Sequence, residues 1–264
     1  MLEEARTRTE TLQARMRERG IAHALFTDEG SIAYLAGFWG YLGVEFGRPT
    51  LLVVPADDAP VVITPLMESE MVGAMTWVED IRKWEDAGQR SWGRVLSEVL
   101  PEAPDALWVE RMHLPALVRA FLDERYPSAG LQDIGPVLGE QRMIKSPLEI
   151  EVMKQAGAVA GAMMAAAHGS LHVGGREYES ALAVIEAGTR KAAGFLTDAG
   201  WERFVSPMIH NLQILQSGTD TSMVHRRASV RAFNRIDRQP SVGLSASLAE
   251  GVDLGAGIQR VEAI

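Results

Sequence analysis

Gln141-Arg142-Met143-Ile144-Lys145-Ser146-Pro147-Leu148-Glu149-Ile150-Glu151-Val152-Met153 divides the chain into two kinds of sequence. Ser146 is a helix N-cap residue, because its side-chain oxygen accepts from a backbone N–H that the first turn leaves unpaired. Pro147 suits the first helical position, where its missing N–H costs nothing. Glu149 stands three residues after Ser146 and reaches back to complete a capping box. Ile150, Met153, Gly157, Ala160 and Met164 follow at helical spacing. A long helix therefore begins at Pro147, and two domains are expected, residues 1–141 and 142–264.

Before this junction, strand-like and helix-like stretches alternate. Residues 2–19 read as a helix stopped by Gly20, and Ile21 to Thr27 as a strand. Ser31 to Phe38 reads as a helix, and Thr50 to Pro55 with Pro60 to Thr64 as a β-hairpin. A helix near Leu66 to Met75 and a strand near Trp77 to Ile81 come next. Ser91 to Leu100 reads as a helix, Ala106 to Glu110 as a strand, Leu114 to Tyr126 as a helix and Leu131 to Ile134 as a final strand. Such alternation predicts an α/β layer with a mixed sheet. Trp77, Trp84, Trp92 and Trp108 are expected in the core or an interface.

Tyr34 to Thr50, YLAGFWGYLGVEFGRPT, combines Gly37, Gly40, Gly43 and Gly47 with several aromatics, and reads as a turn-rich loop. These glycines fit neither phosphate-loop nor dinucleotide-binding spacing. Arg48, after Phe46-Gly47, has a guanidinium shaped to grip a carboxylate through two parallel hydrogen bonds. The plainer reading is a surface arginine beside a strand.

After Pro147 come a turn over residues 171–177, a second helical run from Tyr178 to Ala192, and an alternating stretch from Met208 to Gly218. Leu182, Ile185 and Ala192 are core candidates of that helix. A loop from Thr219 ends at His225, whose imidazole suits proton transfer near neutral pH. A lone histidine is more often structural, and His23, His113, His168, His172 and His210 are read as structural or solvated.

The junction's arginine, its Ile-Lys-Ser-Pro and the Glu-Ile followed by Met resemble the inter-domain junction of the creatinase/prolidase/aminopeptidase P group, the M24 or pita-bread hydrolases. The resemblance implies a creatinase-type N-terminal α/β domain followed by an incomplete pita-bread domain. In creatinase-like members, the arginine after a Phe-Gly pair reaches across a dimer to hold the substrate carboxylate. Carried over, Arg48 with Phe46 binds substrate, and the active unit is a homodimer. Ser217-Gly218…His225 is similar to the family's strand end, loop and histidine. That histidine stabilises the tetrahedral intermediate in metallopeptidases and is the acid/base in creatinase, so the resemblance makes His225 the catalytic candidate.

The family also carries two metal-ligand aspartates, a histidine and two glutamates further on. Here Ile236 stands where a Gly-Asp turn is expected before Asp237, and residues 238–264 hold no aromatic residue and no histidine. Their carboxylates are Glu250, Asp253 and Glu262. Residues 234–264 are therefore read as unlike the family, of out-of-frame or unrelated origin, and without a convincing strand. No metal ligand and no cofactor is assigned here, whereas full-length metal-dependent relatives use divalent manganese, cobalt or zinc. The expected activity of the fold is C–N bond hydrolysis in a small carboxylate-bearing molecule or dipeptide, with the chain as written inactive. The alternative is a non-catalytic binding or dimerisation module.

Composition agrees with a globular protein: 264 residues, 47% hydrophobic and 23% charged. A net charge of −9 gives nucleic acid no electrostatic foothold. The absence of cysteine excludes disulfides and thiolate chemistry in these residues. With no apolar run near the ~20 residues a bilayer span needs, no membrane partner is expected and a cytoplasmic setting is the default.

Overall fold

A computed structural model describes residues 1–40, 42–86, 91–201, 203, 205–209, 214–223, 225–233 and 242–245. The chain forms two compact units, Met1–Ile144 and Lys145–Ile264.

The first unit is an α/β layer built on a six-stranded mixed sheet in the order β4-β3-β2-β1-β5-β6. Its strands are β1 (His23–Phe26), β2 (Leu51–Pro55), β3 (Val61–Pro65), β4 (Asp80–Trp84), β5 (Ala106–Val109) and β6 (Gly130–Asp133). The hairpin read from the sequence is present, with Leu52 opposite Val62 and β2 antiparallel to both β1 and β3. The pairs β1–β5, β3–β4 and β5–β6 are parallel. Strands β2 and β3 are buried at every position, so both faces of the sheet must be covered.

Alternation along the strands assigns side chains to two cores. Phe26, Leu52, Val54 and Val62 join Leu12 and Met16 of α1 (Leu2–Glu18), Leu35 of α2 (Glu29–Ala36) and Val72 of α4 (Ser69–Met75). Leu25, Leu51, Val53 and Ile63 join Val95 and Leu96 of α5 (Trp92–Val99) and Val118 and Leu122 of α6 (Ala116–Arg125) on the other face. Trp84 is buried in the second core; Trp77 and Trp108 pack on the first and Trp92 on the second.

Three sequence expectations need correction in this unit. The strand expected over Trp77–Ile81 lies at Asp80–Trp84. Thr76 and Trp77 are tied instead to α2, with Thr76 Oγ1 donating to the Ala36 carbonyl at 2.6 Å and Trp77 Nε1 to the Leu35 carbonyl at 2.8 Å. The turn-rich loop of residues 34–50 contains the end of α2 and a short helix α3 (Leu42–Phe46). A further helix, α7 (Gly135–Met143), fills the stretch after β6 that the sequence reading passed over. It buries Val137 and Leu138, and the Gln141 amide donates to the Arg8 carbonyl of α1 at 2.8 Å.

The second unit begins with α8 (Pro147–Ser170), whose capping box forms as expected: Ser146 N donates to Glu149 Oε2 at 2.8 Å and Glu149 N to Ser146 Oγ at 3.2 Å. Helix α9 (Glu177–Asp198) packs against α8, closely enough that a Cβ on Gly188 would stand 2.7 Å from Met163 Cγ. Its buried stripe is Ser180, Ala181, Val184 and Gly188. Leu182, expected in the core, is exposed, and Ile185 and Ala192 are only half-buried. Small residues set the helix–helix approach, so the buried face lies on them and not on the larger side chains.

Strand β7 (Ile214–Ser217) pairs antiparallel with β8 (Val242–Ser245), Leu215 opposite Leu244. A strand therefore does occur after residue 234, against expectation. Gly243 and Ser245 weaken its sequence signal, and pairing with β7 outweighs their low strand propensity. Asp237, Glu250, Asp253 and Glu262, with the suggestion of an unrelated ending, lie outside the described residues.

Candidate functional site

In the first unit, the segment after α2 carries the substrate-binding candidates. Gly37 closes α2 in the left-handed conformation at φ 84°, and Gly47 takes φ 63° just after α3. Arg48 N donates back to the Leu42 carbonyl at 3.1 Å, so the Phe46-Gly47-Arg48 turn folds on its own backbone. Phe46 is 61% exposed. The Arg48 guanidinium holds the Asp86 carboxylate at 2.8 Å and lies 3.5 Å from the Met67 sulfur. One guanidinium nitrogen thus pairs with a carboxylate of its own chain, while the other faces the Met67 sulfur.

Beneath this segment lies a cavity of about 270 Å³ that the sequence reading did not find. Its acidic lining comes from Asp28 and Glu29 at the start of α2 and from Glu68. Asp28 caps α2, accepting from Ser31 N at 2.8 Å, and its other oxygen lies 3.5 Å from His113 Nδ1. Next to it, buried Glu110 accepts from the backbone N–H groups of Thr27 and Asp28, both at 3.0 Å. Burial pushes the Glu110 carboxyl up despite those bonds. Burial likewise raises Glu68, the Thr50 hydroxyl opposes the rise and the charge of Glu29 adds to it. Asp28-Glu29-Gly30 has the sequence of a strand breaker, and nothing in it announces a cavity.

In the second unit, His225 sits on the loop after a 3₁₀ turn (Gly218–Ser222). It is exposed, and it is the one non-glycine residue among those described with positive φ, at 75°. Left-handed backbone in a residue with a Cβ persists only where the surroundings impose it. What holds the loop is Glu177, fully buried at the first position of α9. Its Oε1 accepts from Ser217 N at 2.9 Å, Ser217 Oγ at 2.7 Å and Arg226 Nη2 at 2.6 Å. Its Oε2 accepts from Ser229 N at 3.0 Å and Ser229 Oγ at 2.8 Å. Burial alone would raise this carboxyl, but the bonds from Arg226, Ser217 and Ser229 outweigh it and bring it down to about 2. Asp220 pairs with both Arg226 and Arg231. The residue on each side of His225's loop is thus fixed, while the imidazole stays open to solvent. Sequence reading noticed the turn before Glu177 but gave Glu177 and Arg226 no role.

Arg48 and Phe46 belong to the first unit and His225 to the second. Among the described residues, no three histidine, aspartate or glutamate side chains converge as a metal-binding group.

The mixed six-stranded α/β layer of the first unit is that of the creatinase-type fold. The profile "Creatinase/Prolidase N-terminal domain" matches residues 8–144, and the chain belongs to that family. It is similar to creatinase of Bacillus sp. (strain B-0618), 28% identical over 242 residues, covering 89% of this chain and 55% of the creatinase. Among solved structures, the prolidase from Pyrococcus horikoshii superposes with TM-score 0.70 at 17% identity, over 87% of this chain and 58% of the prolidase. Dipeptidase PepE from Mycobacterium ulcerans gives TM-score 0.69 at 22% identity, over 88% of this chain and 57% of the dipeptidase. The chain thus spans little more than half the length of these relatives.

Proposed function

We propose that the chain handles substrate for hydrolysis of a C–N bond in a small carboxylate-bearing molecule, an Xaa-Pro dipeptide or a creatine-like amidine. The observation that carries this reading is Arg48 on an exposed turn, already holding a carboxylate at 2.8 Å. Asp86 stands in for the substrate carboxylate there and leaves when substrate arrives. Phe46, exposed two residues before Arg48, offers an apolar surface to the substrate body. His225 serves as acid/base or stabilises the tetrahedral intermediate, and the Glu177–Arg226 pair holds its loop in place. The Arg48 turn completes the site of a second copy, so the working unit is a homodimer. A cytoplasmic setting goes with this reading; no described helix is long and apolar enough to cross a membrane.

Residues 1–264 by themselves are proposed to bind without turnover, because Asp237, Glu250, Asp253 and Glu262 lack the spacing of the family's metal ligands. Calorimetric titration with Ala-Pro and creatine tests the reading. One of the two binds saturably, amidation of the dipeptide's carboxylate abolishes its binding, and Arg48→Ala weakens binding about tenfold or more. Unchanged binding in Arg48→Ala contradicts it.

A further inference from the structure

The cavity under residues 38–50 has a chemistry that the proposed reaction does not use. Its acidic wall is Asp28, Glu29 and Glu68, its apolar wall includes Ile32, Phe38 and Leu42, and among the described residues no lysine or arginine lines it. Glu68 is 6% exposed yet has little to hold its charge. Its Oε2 accepts one long bond from Thr50 Oγ1 at 3.4 Å, and Oε1 accepts none among the described residues. Thr50 Oγ1 is shared, since it also lies 3.2 Å from Thr64 Oγ1. Glu68 lines the cavity, so its second oxygen is available to a donor held inside it.

A Cβ on Gly40 would meet the Phe38 ring at 2.7 Å, with Glu68 Oε1 at 3.7 Å, so this glycine lets the ring and the carboxylate share one wall. Gly43 lies close to the other carboxylate, a Cβ there standing 3.6 Å from Glu29 Oε1. The carboxylates line a volume instead of meeting at a point, and they form no metal-binding group among the described residues. A compact metal ion needs several oxygens within about 2.6 Å at once. An organic cation needs one or two acceptors and an apolar wall, which is what the cavity offers.

We propose that this cavity binds a small primary amine, its ammonium donating to Glu68 Oε1 and its apolar body resting on Ile32, Phe38 and Leu42. The site is separate from Arg48, which binds an anion, and the proposal stands whether or not the hydrolase reading does. Binding strengthens as Glu68 ionises, so it weakens in acid; the other charged or titratable groups facing the same space are Asp28, Glu29 and His113.

The probe is cyclohexylmethylamine, with cyclohexylmethanol as the neutral control, titrated into the whole chain at neutral pH. Calorimetry is expected to show saturable binding of the amine alone, weakened about tenfold or more in Glu68→Gln. Methyl NMR of the unsubstituted chain gives a readout independent of that variant's folding, with saturable shifts expected at Ile32 and Leu42. Absence of such shifts, an equal response to the alcohol, or undiminished binding by a folded Glu68→Gln each overturns the proposal. Saturable binding of magnesium with none of the amine overturns it too. Loss of dipeptide or creatine binding in Arg48→Ala has no bearing on this outcome.

Discussion

The two units are held together by different physics. The first closes both faces of its sheet with large apolar side chains, Phe26, Leu12 and Leu52 on one side and Leu51, Ile63 and Leu96 on the other. Among the described residues of the second, the buried apolar side chains are Ala167, Ala181, Val184, Leu215 and Phe233. Helix α8 buries Ala167 alone along its whole length. Beside these few, the described residues of the second unit have Glu177 drawing Ser217, Arg226 and Ser229 onto one carboxylate. Apolar burial is non-directional and sums over many contacts. A buried carboxylate network is directional and fails when one member is lost.

The sharpest way to break this contrast is to empty the first core. Phe26→Ala removes a fully buried ring from β1 and is expected to cost ~4 kcal/mol. Urea unfolding followed by tryptophan fluorescence measures it. A loss below ~1 kcal/mol would mean that the sheet's own pairing, and not its packing, holds the first unit.

Glu177→Gln comes next, at ~3 kcal/mol, because it leaves Arg226 without its buried partner and turns an amide donor towards Ser229. The loss should appear in the second unit alone. Of the chain's 6 tryptophans, only Trp201 lies in that unit, so a variant keeping Trp201 with the others replaced by phenylalanine reports it. Equal loosening of both units would contradict separate stabilisation.

Acid should split the units by sign. The folded Glu177 carboxyl sits at about 2 against an ordinary 4.5, so the unfolded chain binds more protons between those values. Its stabilisation is complete above pH 4.5 and is lost as pH falls towards 2. Glu68 and Glu110 are raised, so the folded first unit holds more protons there. Their contribution is present below the ordinary carboxylate range and is lost as pH rises through their folded values. Hydrogen exchange across this range should show the second unit opening first in acid, with Glu177→Gln flattening that dependence.

The smallest effect is at Arg48. Its pair with Asp86 is exposed, so Arg48→Ala should change stability by less than ~1 kcal/mol while weakening the proposed carboxylate binding about tenfold or more. A large stability loss would make Arg48 a structural residue.

How much was legible in the sequence follows the same division. The capping box at Ser146 and the Leu51–Pro55/Val61–Pro65 hairpin are set by near neighbours, and both formed. Strand β4 moved because Thr76 and Trp77 bond to α2, some forty residues away in sequence. Helix α7 was passed over because Gly135, Pro136 and Gly139 are weak helix formers, although proline in a first turn is a helix signal. The positive φ of His225 and the five bonds of Glu177 are tertiary facts, with no local pattern to reveal them. The amine cavity joins Asp28, Glu68 and His113 across three separate segments, which no local spacing displays.

Limited proteolysis of the whole chain at neutral pH, with fragments identified by mass, tests the central contrast most directly. The account predicts early cuts within residues 145–264 and a resistant fragment close to residues 1–144. A resistant fragment from the C-terminal unit, with the N-terminal unit digested first, would contradict it.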